Sequence, residues 1–504
     1  MSWLRDTEEA GKIFHAVRQA REGFQKPFVK PTPEYLFYKA MFCYPLRGED
    51  FYYMSLTEYT NLLLLSERET AQSKGWRTVA DVVLRARHDG FVKDPPLVAS
   101  QIIPEKDEVV KLLSTYPVPK VLLFAEIAKK RSRDFKWGWG HRKKTEVNKA
   151  LESRPLDWHE YQAIKYPASY RDLLRITHPK TSDEKLNEIW CWLVGKCEAP
   201  TDRIKAYEDA LKFAKTGNVP EAVRLVTEYK LPWEIVRSRI GLENLAQEQA
   251  TAIAFNLMSP NDIAMQSRTL LRMLGKDALS DLVRRREFTL NMASRASLGI
   301  LHESRDVAEE FFRKAYMPRQ EFERLLPIKT KRVIALIDVS GSMIGGGILA
   351  AARITMPFRG IFEKTYVFNK YPWQVELHEL EDFEKLLSMP SEGTRLYDSI
   401  ISVADSERMA EDDLLLVVTD EQENLSQSTY ADIANLRTNI AEAITAPYPA
   451  DMILKAPITN IIGYPASDPD SFIASARLVL ANRIMESEKA IDITKVLPPL
   501  RTNH

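Results

Sequence analysis

Only three cysteines, Cys43, Cys191 and Cys197, occur in 504 residues. Three thiols cannot build a disulfide framework, and their spacing matches no zinc pattern. Buried, reduced thiols in a cytosolic protein are the expectation. Long apolar runs are also lacking: no stretch could span a bilayer, so no membrane partner is expected. The opening residues, Met1-Ser2-Trp3-Leu4-Arg5-Asp6, hold no apolar h-region. A secretory signal is therefore not expected, and the location that follows is cytoplasmic. Net charge is absent too, with 70 Lys and Arg against 70 Asp and Glu. That zero conceals an asymmetry. Residues 1–332 carry 56 basic against 45 acidic groups, and residues 333–504 carry 14 against 25. A basic body beside an acidic domain suits a polyanion-binding surface with a separate module. The same imbalance would also let the two parts neutralise each other.

What is present divides near residue 328. Before it the patterning is helical. Ile204, Tyr207, Leu211 and Ala214 recur at helical spacing. Thr216-Gly217-Asn218 breaks that run, Pro220 opens the next helix, and Ala222, Val223, Leu225 and Val226 continue its stripe. Similar units follow near 243–258, 260–274 and 278–292. Such hairpins cannot bury their own apolar faces and must stack, as in a degenerate HEAT-like array or α-solenoid. After Pro327 the period changes. Val333-Ile334-Ala335-Leu336-Ile337 and Leu414–Val418 are continuously apolar, as buried parallel strands are. Strand-like segments at 365–368, 452–454 and 460–462 alternate with helical ones at 348–358, 398–409, 429–445 and 471–486. That alternation predicts a doubly wound α/β domain. The division expected is 1–327 helical and 328–504 α/β.

In an open α/β sheet, ligands bind beyond the carboxyl ends of the strands. The first apolar run ends in Asp338-Val339-Ser340-Gly341-Ser342, and the second ends in Thr419-Asp420. Between them, Ser391-Glu392-Gly393-Thr394 can add a hydroxyl. Two carboxylates and three hydroxyls are hard oxygen donors, suited to Mg²⁺ rather than Zn²⁺. They would leave the ion's charge partly uncompensated, so it could take an acidic oxygen from a partner. The alternative is a degenerate site that holds no metal. Asp338, Ser340, Ser342, Thr394 and Asp420 together resemble the metal-ion-dependent adhesion site of von Willebrand A domains. That resemblance implies direct metal bonds from Ser340, Ser342 and Thr394, with Asp338 and Asp420 acting mostly through water. An enzyme is not expected. Aspartyl-phosphate chemistry would want an acid two residues after Asp338, and that position is serine. The one nearby histidine, His378, falls in a connecting segment and reads as a surface residue.

Positive charge is densest from Lys129 to Lys144, where Phe135, Trp137 and Trp139 lie among eight Lys and Arg. Cations there can neutralise phosphates. The aromatic rings can either stack on unpaired bases or anchor the segment to the core. A second basic segment runs from Lys165 to Lys180. Arg171, Arg175 and His178 recur at helical spacing within it, and Pro179 stops the helix. Cations at that end could equally serve only to complement the helix dipole.

The segment Lys165-Tyr166, then Asp172-Leu173-Leu174-Arg175 with His178 and Lys180, resembles the signature of the TROVE module of Ro ribonucleoproteins. Gly138–Lys144 and Leu270–Lys276 resemble two further stretches of that module, in the same order, and a von Willebrand A domain follows as it does in that family. The resemblance covers roughly residues 110–300 and 330–465. It implies helical repeats closed into a ring by the A domain. It also implies Y-like small noncoding RNA on an outer basic surface, and single-stranded 3′ ends of misfolded RNA in a central hole. Lys165, Arg175 and His178 match the family's RNA-contacting positions; Arg142, Lys143, Lys144, Arg171 and Lys180 extend that surface. An exoribonuclease is an implied partner. The function expected is non-catalytic RNA binding in RNA stability and quality control. The alternative is a metal-dependent protein-interaction scaffold that captures an acidic partner.

Overall fold

The computed structural model describes residues 56–85, 95–130, 139–326, 329–389, 393–420, 425–428, 436–444 and 461–465, with a few isolated positions besides. Almost everything described before residue 327 is helix, and a small mixed sheet follows. The described residues fall into two compact units. One spans 100–288 and 299–310; the other takes in 289–298 and the chain from 311 onward, together with residues before 100. The period change at Pro327 therefore marks where strands begin, not where their compact unit begins. Physical ties explain this. Met317 N donates to Pro357 O at 2.9 Å. The buried Arg359 guanidinium donates to the carbonyls of Phe312, Met356 and Ala315, and it stacks 3.8 Å from the Phe312 ring centroid.

Helix limits follow local chemistry. In Asp202–Thr216, the Thr201 side chain accepts from Ile204 N, and the helix stops at Gly217 with φ of 80°. Only glycine adopts that conformation freely. Asn218 then caps Val219–Glu228 by accepting from Glu221 N. These two helices pack together, burying Ile204, Ala210, Val223 and Val226. Farther on, Gly275 (φ 78°) interrupts Ser267–Arg284, close to the break expected between 274 and 278.

One polar cluster fixes several helices of the first unit. His159 Nε2 lies 2.9 Å from Leu151 O, a group that can only accept, so Nε2 carries the proton. Nδ1 then accepts from the Tyr170 hydroxyl at 2.5 Å, whose oxygen accepts from Trp190 Nε1 at 3.0 Å. Burial drives the His159 pKa down to about 4. The unfolded chain takes up this proton near 6.5 and the fold resists it. Stability from this site is therefore complete above about pH 6.5 and is lost progressively as pH falls to about 4, by up to ~3 kcal/mol. Urea unfolding at pH 7 and pH 4.5 should show greater acid sensitivity in the wild type than in His159→Gln. Equal sensitivity would mean that His159 is not buried neutral.

The sheet has six strands in the order β3-β2-β1-β4-β5-β6. They are β1 Val333–Asp338, β2 Lys364–Phe368, β3 Pro372–Val375, β4 Leu414–Thr419, β5 Asn439–Ile444 and β6 Ile461–Pro465. All neighbours are parallel except β3, an antiparallel edge strand that the sequence reading missed. Every residue of β1 and β4 is buried, as their unbroken apolar runs require. Ile334, Leu336, Leu415 and Val417 face one way and pack on Leu396, Ile400 and Val403 of the helix Leu396–Ser406. The helix Gly346–Thr355 contacts β1 and β4 without joining that cluster, and so covers the opposite face. Order, direction and two-sided cover make this an α/β sheet of the doubly wound kind.

One expectation is corrected. A helix was expected over 429–445, yet Asn439–Ile444 is β5, paired with β4 from Leu414↔Asn439 to Thr419↔Ile444. Alanine and glutamate favour helix locally, but the exposed ladder of β4 offers each backbone group a partner. The expected strand at 452–454 lies outside the described residues. Of the helix expected over 471–486, only Ile473, Ala476 and Leu480 are described, all helical and buried. Among the described residues, no helix is long and apolar enough to cross a membrane.

Candidate metal centre and cationic surface

The parallel pairing of β1 with β4 sets Ile337 beside Val418, so both strands release their next residues at one edge of the sheet. Asp338 ends β1 and is fully buried. Its Oδ1 accepts from Ser340 N at 2.8 Å, and its Oδ2 accepts from Thr419 Oγ1 at 2.8 Å. Those bonds turn the loop so that Ser340 Oγ and Ser342 Oγ lie 3.1 Å apart. Ser340 is buried and Ser342 exposed. Asp420, nearly buried, follows β4 directly.

Thr394 arrives from another direction. Arg395 N donates to Asn369 O at 2.9 Å, pinning this loop to the end of β2. Val339 N donates to Phe368 O at 2.9 Å, tying the β1 loop to the same strand. Leu425 N donates to Thr394 O at 3.1 Å, joining the segment beyond β4. That segment is anchored again at Asp398, whose carboxylate accepts from Gln427 N and Ser428 N. Partial burial opposes the Asp398 charge, but these bonds and Arg395 outweigh it and hold its pKa below the ordinary carboxylate range. Asp338 at the end of β1, with Ser340, Ser342, Thr394 and Asp420 on the loops beyond β1, β2 and β4, thus lie at the same ends of these strands. Ser391 and Glu392 lie outside the described residues.

Two features fit a divalent cation. Burial pushes the Asp338 pKa up to about 6, and Asp420 pushes it further in the same direction. A cation would relieve both effects. In addition, two oxygens bound side by side on an octahedral Mg²⁺ would stand about 3.0 Å apart, close to the spacing of the two serine hydroxyls. Among the described residues, no three His, Cys, Asp or Glu side chains group to hold a metal, so a site here would be rich in hydroxyls. Ile344, Tyr371 and Leu425, on the segments that follow β1, β2 and β4, are exposed. His378 is exposed, with Nε2 2.8 Å from Glu376, as a surface residue would be.

The cationic candidates divide. Lys143 was expected at the surface and is instead buried, 3.0 Å from Glu146 Oε2 and 3.2 Å from Ser100 O. The helix His141–Glu152 turns this position inward, and a buried carboxylate at i+3 takes its charge. Arg142 is part-exposed but bonds Glu146 at 2.8 Å and Ile103 O at 2.6 Å. Lys144 is half-buried. Lys165 is held by Glu234 at 2.8 Å. Burial works against its charge, but Glu234, Tyr161 and Tyr166 outweigh burial and raise its pKa. Arg171 donates to Leu193 O at 2.9 Å while remaining exposed. Arg175, His178 and Lys180 are exposed together at the end of the helix Pro167–Thr177. His178 is its C-cap with φ of 48°, and Arg175 reaches Asp172 only at 3.4 Å. Phe135 and Trp137 lie outside the described residues, and so does Cys43. Cys191 is half-buried and Cys197 exposed, so these free thiols are not the buried pair expected.

No protein-family model matches the chain, and no curated protein matches it significantly.

Proposed function

We propose that this is a non-catalytic binding protein whose C-terminal α/β domain is of the von Willebrand A type and captures an acidic oxygen of a protein partner through Mg²⁺. The observation that carries this reading is the gathering of Asp338, Ser340, Ser342, Thr394 and Asp420 at the same ends of β1, β2 and β4, with the two serine hydroxyls 3.1 Å apart. Ser340, Ser342 and Thr394 would ligate the ion, with Asp338 and Asp420 balancing its charge. The metal supplies a positive centre that a partner's carboxylate can complete. Exposed Ile344, Tyr371 and Leu425, on the segments that follow β1, β2 and β4, suit apolar neighbours of that carboxylate, which favours a protein ligand. The test is a pull-down with the full chain after nuclease treatment. A partner retained in Mg²⁺ and lost in chelator supports the reading; a partner indifferent to chelator counts against it.

A second reading is RNA binding of the Ro type, with the helical part as HEAT-like repeats contacting Y-like noncoding RNA and single-stranded 3′ ends. The exposure of Arg175, His178 and Lys180 at one helix end, with Arg171 beside them, favours it. Lys143 and Lys165 are spent on internal acids and drop out of that surface. Replacing Arg171, Arg175 and Lys180 together with glutamine should weaken RNA binding and reduce the slope of log K against log salt by about 2–3. An unchanged slope in a gel-shift titration would remove these residues from any RNA interface.

A further inference from the structure

The helix Glu184–Leu193 ends in a turn that folds the chain back on itself. Gly195 takes φ of 74°, which glycine adopts without strain. Gly195 N donates to Trp192 O and Lys196 N donates to Cys191 O, both at 2.9 Å. This is the Schellman pattern, in which two donors beyond a helix reach back to carbonyls of its last turn. Cys197 comes next and is carried back over the helix, where its Sγ lies 3.3 Å from Glu188 O. That carbonyl is also within reach of a γ atom on Cys191, because short helical side chains bond the carbonyl three residues earlier. Ser66 and Ser73 do so on their own helix, at Leu63 O and Thr70 O. One carbonyl thus brings two thiols together, Cys191 half-buried and Cys197 exposed.

A disulfide needs Cα atoms roughly 4.4–6.8 Å apart. A chain that reverses at Gly195 and bonds the backbone of Cys191 in doing so meets that need without unfolding the helix. A metal is served less well. Among the described residues, no third His, Cys, Asp or Glu side chain joins the two thiols, whereas a tetrahedral soft-metal site takes four donors. Burial, followed by the Cys191 thiol and the Glu188 carboxylate, raises the Cys197 pKa. Its thiolate is therefore scarce at pH 7, and the pair is not built for rapid attack on peroxide. It suits thiol–disulfide exchange, where the closeness of the second thiol sets the equilibrium.

We infer that Cys191 and Cys197 form a redox-active dithiol that closes to a disulfide at the expense of a low-molecular-weight disulfide such as oxidised glutathione. The exposed Cys197 thiolate attacks one sulfur of glutathione disulfide. A mixed disulfide forms, and the glutathione thiolate released takes up the proton that Cys197 lost. The Cys191 thiolate then attacks Cys197 Sγ, and the second glutathione leaves reduced and takes up the proton from Cys191. Two protein thiols are oxidised, and one glutathione disulfide is reduced to two thiols. Half-burial shields Cys191 from the external disulfide, so it resolves the intermediate and does not initiate. Closure fastens the helix end that Arg171 also holds, through Leu193 O at 2.9 Å. The site rests on neither functional reading above.

The test equilibrates the full chain in glutathione buffers of graded redox ratio, blocks free thiols by alkylation and maps the linkages by mass spectrometry. Trypsin cleaves after Lys196 and so parts the two cysteines, and a closed disulfide appears as two tryptic peptides joined. The wild type should show Cys191 joined to Cys197. Cys191→Ser should stop at the glutathione adduct of Cys197, and Cys197→Ser should leave Cys191 largely free. The rate of closure should rise about tenfold from pH 7 to pH 8, as the scarce Cys197 thiolate grows. The closing equilibrium constant should be at least about tenfold larger in the native chain than in the same chain unfolded by urea. A native wild type that carries only glutathione adducts would overturn the pair, as would one that links either thiol to Cys43. Closure no more favourable in the native chain than in urea would overturn it as well, because the fold would then contribute nothing to the approach.

Discussion

In chelator at pH 7, Asp338→Asn should unfold at a higher temperature than the wild type, and Mg²⁺ should no longer raise that temperature. Asp338 is fully buried, and its carboxyl is pushed up to about 6 from an ordinary 3.8. Between those two values the folded chain binds a proton that the unfolded chain has released. Metal-free stability therefore falls as pH rises through this window, by about 3 kcal/mol in all. Asparagine removes the charge and keeps the shape. Its oxygen can still accept from Ser340 N, and the Thr419 hydroxyl can rotate to accept from the new amide. The uncharged variant should thus be relieved of the burial penalty while losing the anion that a cation needs. Wild type and variant responding alike to Mg²⁺ would discard the metal centre. An Asp338→Asn less stable than the wild type in chelator would mean that the carboxylate is already compensated.

Lys143→Met should destabilise the fold by about 3 kcal/mol and leave the salt dependence of any RNA binding unchanged. Lys143 contacts Glu146 and Ser100 O, and its ammonium lies 5.2 Å from the Phe124 ring centroid. Glu146 is itself buried, so removing the lysine strands a carboxylate that, among the described residues, only Arg142 still reaches. Breaking a buried pair from one side costs about 3–5 kcal/mol, and the surviving Arg142 contact places the expectation at the lower end. Adding Glu146→Met should recover most of the loss, because no orphan charge then remains. Denaturant unfolding of both variants decides the matter. A Lys143→Met of unchanged stability with weakened RNA binding would return this residue to the surface.

These two sites differ in how far the sequence reveals them. Asp338, Ser340, Ser342 and Asp420 follow runs so apolar that only buried parallel strands accommodate them, and such strands deliver their next residues to a common edge. Thr394 belongs to no such run, yet the loop that carries it was also expected there. Lys143 gave no warning. A lysine among cations reads as surface, because sequence does not show that a carboxylate one turn away lies beneath it.

The chain by itself determined what depends on neighbours within a few residues. This covers the stop at Gly217, the cap at Asn218, the break near Gly275 and the strands that end in Asp338 and Thr419. Each follows from a local φ preference, a capping side chain or an unbroken apolar period. Only the tertiary structure decided whatever needs a partner distant in sequence. Asn439–Ile444 became a strand because the ladder of β4 was open beside it, against its own helical leaning. Lys165 and Glu234, 69 positions apart in the sequence, meet as an ion pair at 2.8 Å. Propensity is a property of a segment, while hydrogen-bond pairing and charge balance are properties of the packed whole, and at these places the packed whole prevails.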